Sequence, residues 1–189
     1  MSLLLENEVL VVAATELELC GHPGLVCGVG PVEAAATISR ELALNQPRAV
    51  INVGIGGSRG LTPGSIVIGS EAFYCDLGAE IPIVDRVQAD PELVAEIQAA
   101  VPEAVVLPIA TSAYVTGSQR APQTFRVEGM EGFGVLRACE LAGVPGVEVR
   151  VISNDVGEGN RALWMMRRAL DVLEGVMPRL VGDVVARRL

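Results

Sequence analysis

Short runs of β-branched and aliphatic residues recur along the chain at 9–14, 25–27, 49–53, 66–68, 105–107 and 147–152. Several are apolar at successive positions rather than at alternate ones, the pattern of strands buried on both faces. Between them, 32–44, 91–100 and 132–142 carry apolar residues at steps of three and four, which predicts helices. The second opens with Asp90 as a cap and Pro91 at the first helical position. This alternation predicts an α/β fold with a mixed, largely parallel sheet flanked by helices. The tail, 161–189, reads as one long helix. Its stripe of Leu163, Met166, Leu170, Leu173, Met177, Leu180 and Val184 is expected to pack on the sheet, and Pro178 to bend or break it.

The run at 147–152 ends on Ser153, Asn154 and Asp155, with Gly157 and Gly159 just beyond. Hydrogen-bonding side chains at the carboxyl end of a buried strand stand where open α/β sheets hold their ligands. One predicted helix earlier lies the acidic stretch Val127-Glu128-Gly129-Met130-Glu131. Three glycine-bearing segments also need a reading. In Gly28-Val29-Gly30-Pro31-Val32-Glu33, Glu33 replaces the third glycine of a dinucleotide fingerprint and would repel a pyrophosphate. The run from Gly54 through Gly56 and Gly57 to Gly60 allows backbone to approach a ligand closely, and equally suits a tight strand-to-loop turn. Gly157-Glu158-Gly159 reads as a flexible joint.

Composition narrows the classes. The chain has 189 residues, half of them apolar, which suffices for one domain over 1–189 with a core that needs no disulfide or metal. Its 23 acidic and 14 basic residues leave a net charge of −9, which disfavours a nucleic-acid partner. All 14 basic residues are arginine, so lysine Schiff-base chemistry and a phosphate-loop lysine are excluded. Glu6 and Glu8 interrupt any leading apolar run, and no window approaches a membrane span; a cytoplasmic location is the expectation. Cys20, Cys27, Cys75 and Cys139 have no Cys-x-x-Cys spacing and only His22 accompanies them, so buried reduced thiols are expected and no metal site.

Motif order adds a resemblance. A first strand runs into Thr15-Glu16-Leu17-Glu18; then come the Gly28 to Ala35 segment, Ile51-Asn52-Val53-Gly54-Ile55-Gly56-Gly57, the Pro63 to Ile68 segment, Met130-Glu131, and Arg150-Val151-Ile152-Ser153-Asn154. In that order these segments resemble the nucleoside phosphorylase and nucleosidase superfamily, over nearly the whole chain. One departure is that only ten positions separate Glu18 from Gly28, where relatives carry an extra pair of strands. The resemblance implies a small-molecule nucleoside substrate, no metal or organic cofactor, and a homo-oligomer. It implies Glu18 as the group that activates water, Glu131 as the ligand of the ribose 2′ and 3′ hydroxyls, and Asn154 as the contact to the leaving base. Met130 is implied to pack on the sugar, Tyr114 and Val115 on the purine face, and Gly54, Ile55, Arg150 and Asp155 to contribute to binding. Arg150 remains either a positioning or a purely structural residue, and Asp155 an alternative to Asn154 if the turn is shifted by one.

Within the superfamily, phosphorylases hold phosphate with arginines, one of them just before the first glycine loop, where this chain has Asn52. Glu16 and Glu18 in the opening loop oppose an anion but can polarise water, which favours hydrolysis; Arg59 keeps a phosphorylase in view. Methylthioadenosine nucleosidases carry an aspartate at the position of Asn154. An asparagine can donate to a 6-oxo group, matching hypoxanthine or guanine rather than adenine. Glu71 to Glu80, ending in Asp76-Leu77-Gly78-Ala79-Glu80, and Trp164 after the Ser153-Asn154 strand resemble the futalosine hydrolase branch of menaquinone biosynthesis. Methylthioadenosine or aminofutalosine cleavage, and a purine nucleoside phosphorylase, are the alternatives.

Overall fold

Every strand and helix that the apolar pattern predicts is present in the computed structural model, which describes residues 9–78, 81–115 and 125–188. In chain order the elements are β1 (Val9–Ala13), α1 (Glu16–Leu19), β2 (Leu25–Val26), α2 (Pro31–Leu44), β3 (Ala49–Ser58), β4 (Ile66–Tyr74), β5 (Arg86–Gln88), α3 (Pro91–Ala100), β6 (Val105–Thr111), β7 (Val127–Gly129), α4 (Gly132–Ala142), β8 (Gly146–Asp155) and α5 (Met166–Arg188), with a 3-10 turn at Arg161–Leu163. Asp90 caps α3, its carboxylate accepting from the Leu93 amide at 2.8 Å. The pattern missed α1, β5 and β7, which at four, three and three residues are too short to show a period.

Alternate residues of β1 and β3 point to opposite faces of the sheet, and both faces are covered. Val9, Val11, Ile51 and Val53 pack with Leu93 and Ile97 of α3 and Leu173, Met177 and Leu180 of α5. Leu10, Val12 and Val50 pack with Ile38 and Leu42 of α2 and Val135 and Cys139 of α4. Burial on two faces is why these runs are apolar at successive positions.

Among the described residues the sheet has five parallel and three antiparallel pairings. It also closes on itself. β3 pairs with β8 and β7, β8 with β4, β4 with β6, and β6 with β7, so these five strands form a ring. Val67, Ile109, Val127 and Ile152 form a separate apolar cluster, one from each of the ring strands other than β3. β2 and β1 extend the sheet from β3, and β5 extends it from β4.

The tail departs from expectation in two places. Leu163 lies in the 3-10 turn and is exposed, and α5 neither breaks nor ends at Pro178. A proline costs the helix one hydrogen bond and a clash one turn back. Here Leu173, Met177 and Leu180, on either side of it, are all buried, so packing holds the helix through it. The side chain of Val184, last in the stripe, lies outside the described residues, as do Glu6 and Glu8. All four cysteines are reduced, Cys20 half-buried and the others buried. Burial pushes the Cys27 and Cys139 thiols up to about 12, so neither is a thiolate at neutral pH.

Candidate active site

The carboxyl ends of β3 and β8 meet through an irregular register. Gly56 pairs with Ile152, but the next pair is Gly57 with Asn154, leaving Ser153 as an extra residue on β8. Such a bulge re-aims side chains, and Ser153 and Asn154 both line one cleft although they are sequence neighbours. The Ser153 hydroxyl lies 2.7 Å from Asn154 Oδ1 and 3.2 Å from the Gly56 carbonyl; Asn154 Nδ2 donates to the Asp155 carbonyl at 3.0 Å. The amide therefore keeps one lone pair and one proton for a ligand. Asp155 is exposed and does not line the cleft, so of these two neighbours only Asn154 is presented to it.

Glu18 reaches the same cleft from α1. Thr15 precedes this single helical turn, and Cys20, in the left-handed conformation, closes it. The turn leaves Glu16 exposed and buries Glu18, which separates two residues that the sequence alone offers as equals. Glu18 Oε1 accepts from the Ile55 amide at 3.1 Å and Oε2 from the Thr15 hydroxyl at 2.9 Å.

Glu131 stands at the start of α4, 4% exposed. Its Oε1 accepts from the Gly30 amide at 3.1 Å and its Oε2 from Arg150 Nη2 at 3.0 Å. Behind it Arg150 Nε donates to Glu148 Oε1 at 2.7 Å, and Nη2 also donates to Asn52 Oδ1 at 2.8 Å. Burial raises the Glu131 carboxyl above its ordinary value, Arg150 and the Gly30 amide opposing it. Burial opposes the charge on Arg150, but Glu148, Glu131 and Glu18 outweigh it and hold the guanidinium charged. One cation thus faces three carboxylates.

The cleft has a volume of about 340 Å³ and is lined by Glu18, Ile55, Tyr114, Val115, Met130, Glu131 and Asn154 among others. These seven expected site residues converge there from separate parts of the chain. Tyr114 and Val115 are exposed at its edge. Gly54 and Arg150 do not line it. Gly54 is packed beneath: a methyl group on it would overlap Arg150 Nη1 and press on Glu18 Oε1, so its missing side chain makes room for these two side chains rather than for a ligand. Arg150, 1% exposed, acts on the cleft through Glu131. Asn52 is fully buried and turned to Arg150, not to the cleft. Arg59 Nη1 lies 2.7 Å from Glu128 Oε1, an ion pair without the alignment of a hydrogen bond.

With this geometry in place, the comparisons decide the family. A family model described as the phosphorylase superfamily matches residues 20–182. The chain belongs to that superfamily. Futalosine hydrolase of Streptomyces coelicolor is 33% identical over 182 residues, covering 82% of this chain and 77% of that protein. The futalosine hydrolase of Acidothermus cellulolyticus is 35% identical over 79% of this chain and 71% of its own length. A 5′-methylthioadenosine/S-adenosylhomocysteine nucleosidase of Chromohalobacter salexigens is 30% identical, covering 71% of this chain and 67% of that protein. The fold matches the adenine complex of such a nucleosidase from Colwellia psychrerythraea with a TM-score of 0.81, at 21% identity over 95% of this chain and 96% of that one. It matches the native futalosine hydrolase of Helicobacter pylori with a TM-score of 0.82, at 15% identity over 94% and 98%. By this membership and these relatives the chain is an enzyme, an N-glycosyl hydrolase.

Several lining residues of this phosphorylase-superfamily enzyme escaped the sequence reading. Glu128 lies in the acidic stretch but was passed over for Glu131. Met166 and Leu170 belonged to the stripe assigned to core packing, yet being half-buried at the start of α5 they face the cleft. Arg161 carried no signal. Asp76 of the Asp-Leu-Gly segment takes a definite role, its carboxylate accepting from the Ala113 amide beside Tyr114. Ala79 and Glu80 of that segment lie outside the described residues.

Proposed function

We propose that this N-glycosyl hydrolase acts on futalosine, releasing hypoxanthine and leaving dehypoxanthinyl futalosine, the step that the futalosine route to menaquinone requires. The observation that carries the reading is Asn154 in the cleft, with one amide proton and one lone pair left over. A 6-oxopurine can accept that proton at its oxo group while its protonated ring nitrogen donates to the lone pair.

In the mechanism the bond from C1′ to the base nitrogen lengthens first and the ribose becomes cationic. Glu131, against the sugar hydroxyls, supplies negative charge in a site where three carboxylates already face one arginine, so the cation that forms is matched by its surroundings. Glu18, held by the Ile55 amide and the Thr15 hydroxyl, accepts the proton of the water whose oxygen bonds to C1′. The base departs as an anion held by the Asn154 amide proton and takes its own proton from solvent, since an amide does not supply one. Met130 packs on the sugar and Tyr114 and Val115 on the purine. Hydrolysis rather than phosphorolysis is supported by Glu18, Glu128 and Glu131 in the lining and by Asn52 being turned away from it.

The test is base release from futalosine, inosine, methylthioadenosine and aminofutalosine, each with and without phosphate. Hypoxanthine release from futalosine that is fastest of the four and independent of phosphate is expected. Strict phosphate dependence, or preferred cleavage of methylthioadenosine, overturns the proposal.

A further inference from the structure

Arg161 is the one basic side chain among the described residues that line the cleft. The acidic lining residues already have partners: Glu18 with Thr15 and Ile55, Glu128 with Arg59, and Glu131 with Gly30 and Arg150. Among the described residues Arg161 has no such partner. The contact its guanidinium makes among the described residues is with the ring of Trp164, whose centroid is 5.4 Å from Cζ.

That ring is held in place. Trp164 Nε1 donates to the Glu158 carbonyl at 3.0 Å, and the Met165 amide donates to the Ser153 carbonyl at 2.8 Å, tying this segment to the bulged end of β8. The turn that carries Arg161 is capped by Asn160, whose Oδ1 accepts from the Ala162 amide at 3.1 Å. A guanidinium held over an anchored indole can still offer its N–H fork to a carboxylate bidentately. Of the other lining residues, Ser153 and Asn154 are assigned to the base, and Glu131 and Met130 to the sugar. Leu17, Trp164, Met166 and Leu170 have no such role and add apolar and aromatic lining; Arg161 and Glu128 are further charged lining residues, Glu128 being paired with Arg59.

We propose that Arg161, held over the Trp164 ring, is the anion-binding end of the cleft and takes the carboxylate of an aromatic acid carried on the sugar of the nucleoside. This rests on the futalosine reading, whose substrate ends in a carboxyphenyl group, and it names the residues that select for that group. The apolar wall accommodates the ring, and the cation meets its acid. A substrate ending in an alkylthio group would leave Arg161 unused, and one ending in an amino acid would bring a carboxylate for Arg161 together with an ammonium that its charge repels.

The experiment measures kcat/KM by base release for futalosine, its methyl ester, inosine and S-adenosylhomocysteine with the wild type and with Arg161→Gln, Arg161→Lys and Trp164→Leu. The wild type is expected to prefer futalosine over the ester, and Arg161→Gln to reduce that preference about tenfold to a hundredfold, mainly through KM, the usual size of a charge-assisted contact. Arg161→Lys should restore part of it, keeping the charge but not the fork. Trp164→Leu should weaken acid and ester together relative to inosine. If the wild type cleaves futalosine but Arg161→Gln lowers acid and ester equally, or leaves both unchanged, the assignment of Arg161 falls while the substrate reading stands. A larger effect of Arg161→Gln on S-adenosylhomocysteine than on futalosine also overturns it. If the wild type does not release base from futalosine, the substrate reading falls and this inference with it.

Discussion

At the scale of single residues, Asn154 illustrates how much a neighbour decides. An isolated asparagine offers two protons and two lone pairs; here the Ser153 hydroxyl takes one lone pair and the Asp155 carbonyl one proton, so the group presented to the cleft is oriented before any ligand arrives. Replacing it by aspartate keeps the shape and removes the proton. Asn154→Asp should therefore raise the ratio of aminofutalosine to futalosine cleavage. The loss on futalosine should be about 1–3 kcal/mol in transition-state stabilisation, the cost of an unpaired buried polar group. The ratio is measured by base release for both proteins under one condition; a ratio that moves for Asp155→Asn and not for Asn154→Asp would place the base contact one residue later.

At the scale of elements, α4 begins where there is no room for a side chain. A methyl group on Gly132 would overlap the carboxylate of Glu148, the fully buried partner of Arg150. Glu148 must then move, and Arg150 and Glu131 with it. Gly132→Ala should destabilise the protein by about 1–3 kcal/mol through forced repacking, read from chemical denaturation, and should lower turnover as well. Gly175 in α5 makes the opposite case: it is exposed, and a methyl group there meets nothing within 4 Å. Gly175→Ala should stabilise by about 0.5–1 kcal/mol, because alanine loses less backbone freedom on entering a helix. Equal effects of the two substitutions would show that the packing over Glu148 is looser than described.

At the scale of the whole molecule, charge and burial combine into a pH dependence. The chain carries a net charge of −9, and the site adds to this a buried Glu131 whose carboxyl is raised above its ordinary 4.5, chiefly by desolvation. Glu131 must be ionised to stabilise a cationic sugar, so activity should fall as the pH drops through this raised value. The acid limb of kcat/KM should stand above pH 4.5. Stability runs the other way for this group. A carboxyl raised on folding contributes most below its unfolded value, and the contribution is lost as pH rises through the folded one. The melting temperature of Glu131→Gln relative to wild type should therefore increase across that window. An acid limb below pH 4.5, or a melting difference that falls with pH, would contradict the burial of Glu131 as the controlling cause.

The sequence by itself determined the class of fold and most of the residues that meet in the candidate site. The apolar runs of β1 and β3 show double-sided burial because helices cover both faces of these strands, whereas the second face of β4 and β8 packs in the separate cluster of Val67, Ile109, Val127 and Ile152. Val105 and Val106 at the start of β6 are exposed, and α2, α3 and α4 show their one buried face as steps of three and four. Glu18, Glu131 and Asn154 were legible through motif order, and the structure brings all three to one cleft. Other features depend on what is distant in the chain. β7 has only three residues, and pairing with β3 and β6, which closes the ring, is what makes it a strand. Glu16 and Glu18 are alike in the sequence; one turn of helix docked on β3 buries one and exposes the other. Arg150 and Gly54 belong beneath the cleft rather than in it, because Glu148, Glu131 and Asn52 come from three separate strands or strand ends to surround the guanidinium. The role of Arg161 depends on what surrounds it, for an exposed arginine gains meaning only from the cleft beside it and the ring it rests on. Periodicity records whether a residue is buried; which distant groups share its burial is decided by the tertiary structure, because those contacts join residues with no fixed spacing along the chain.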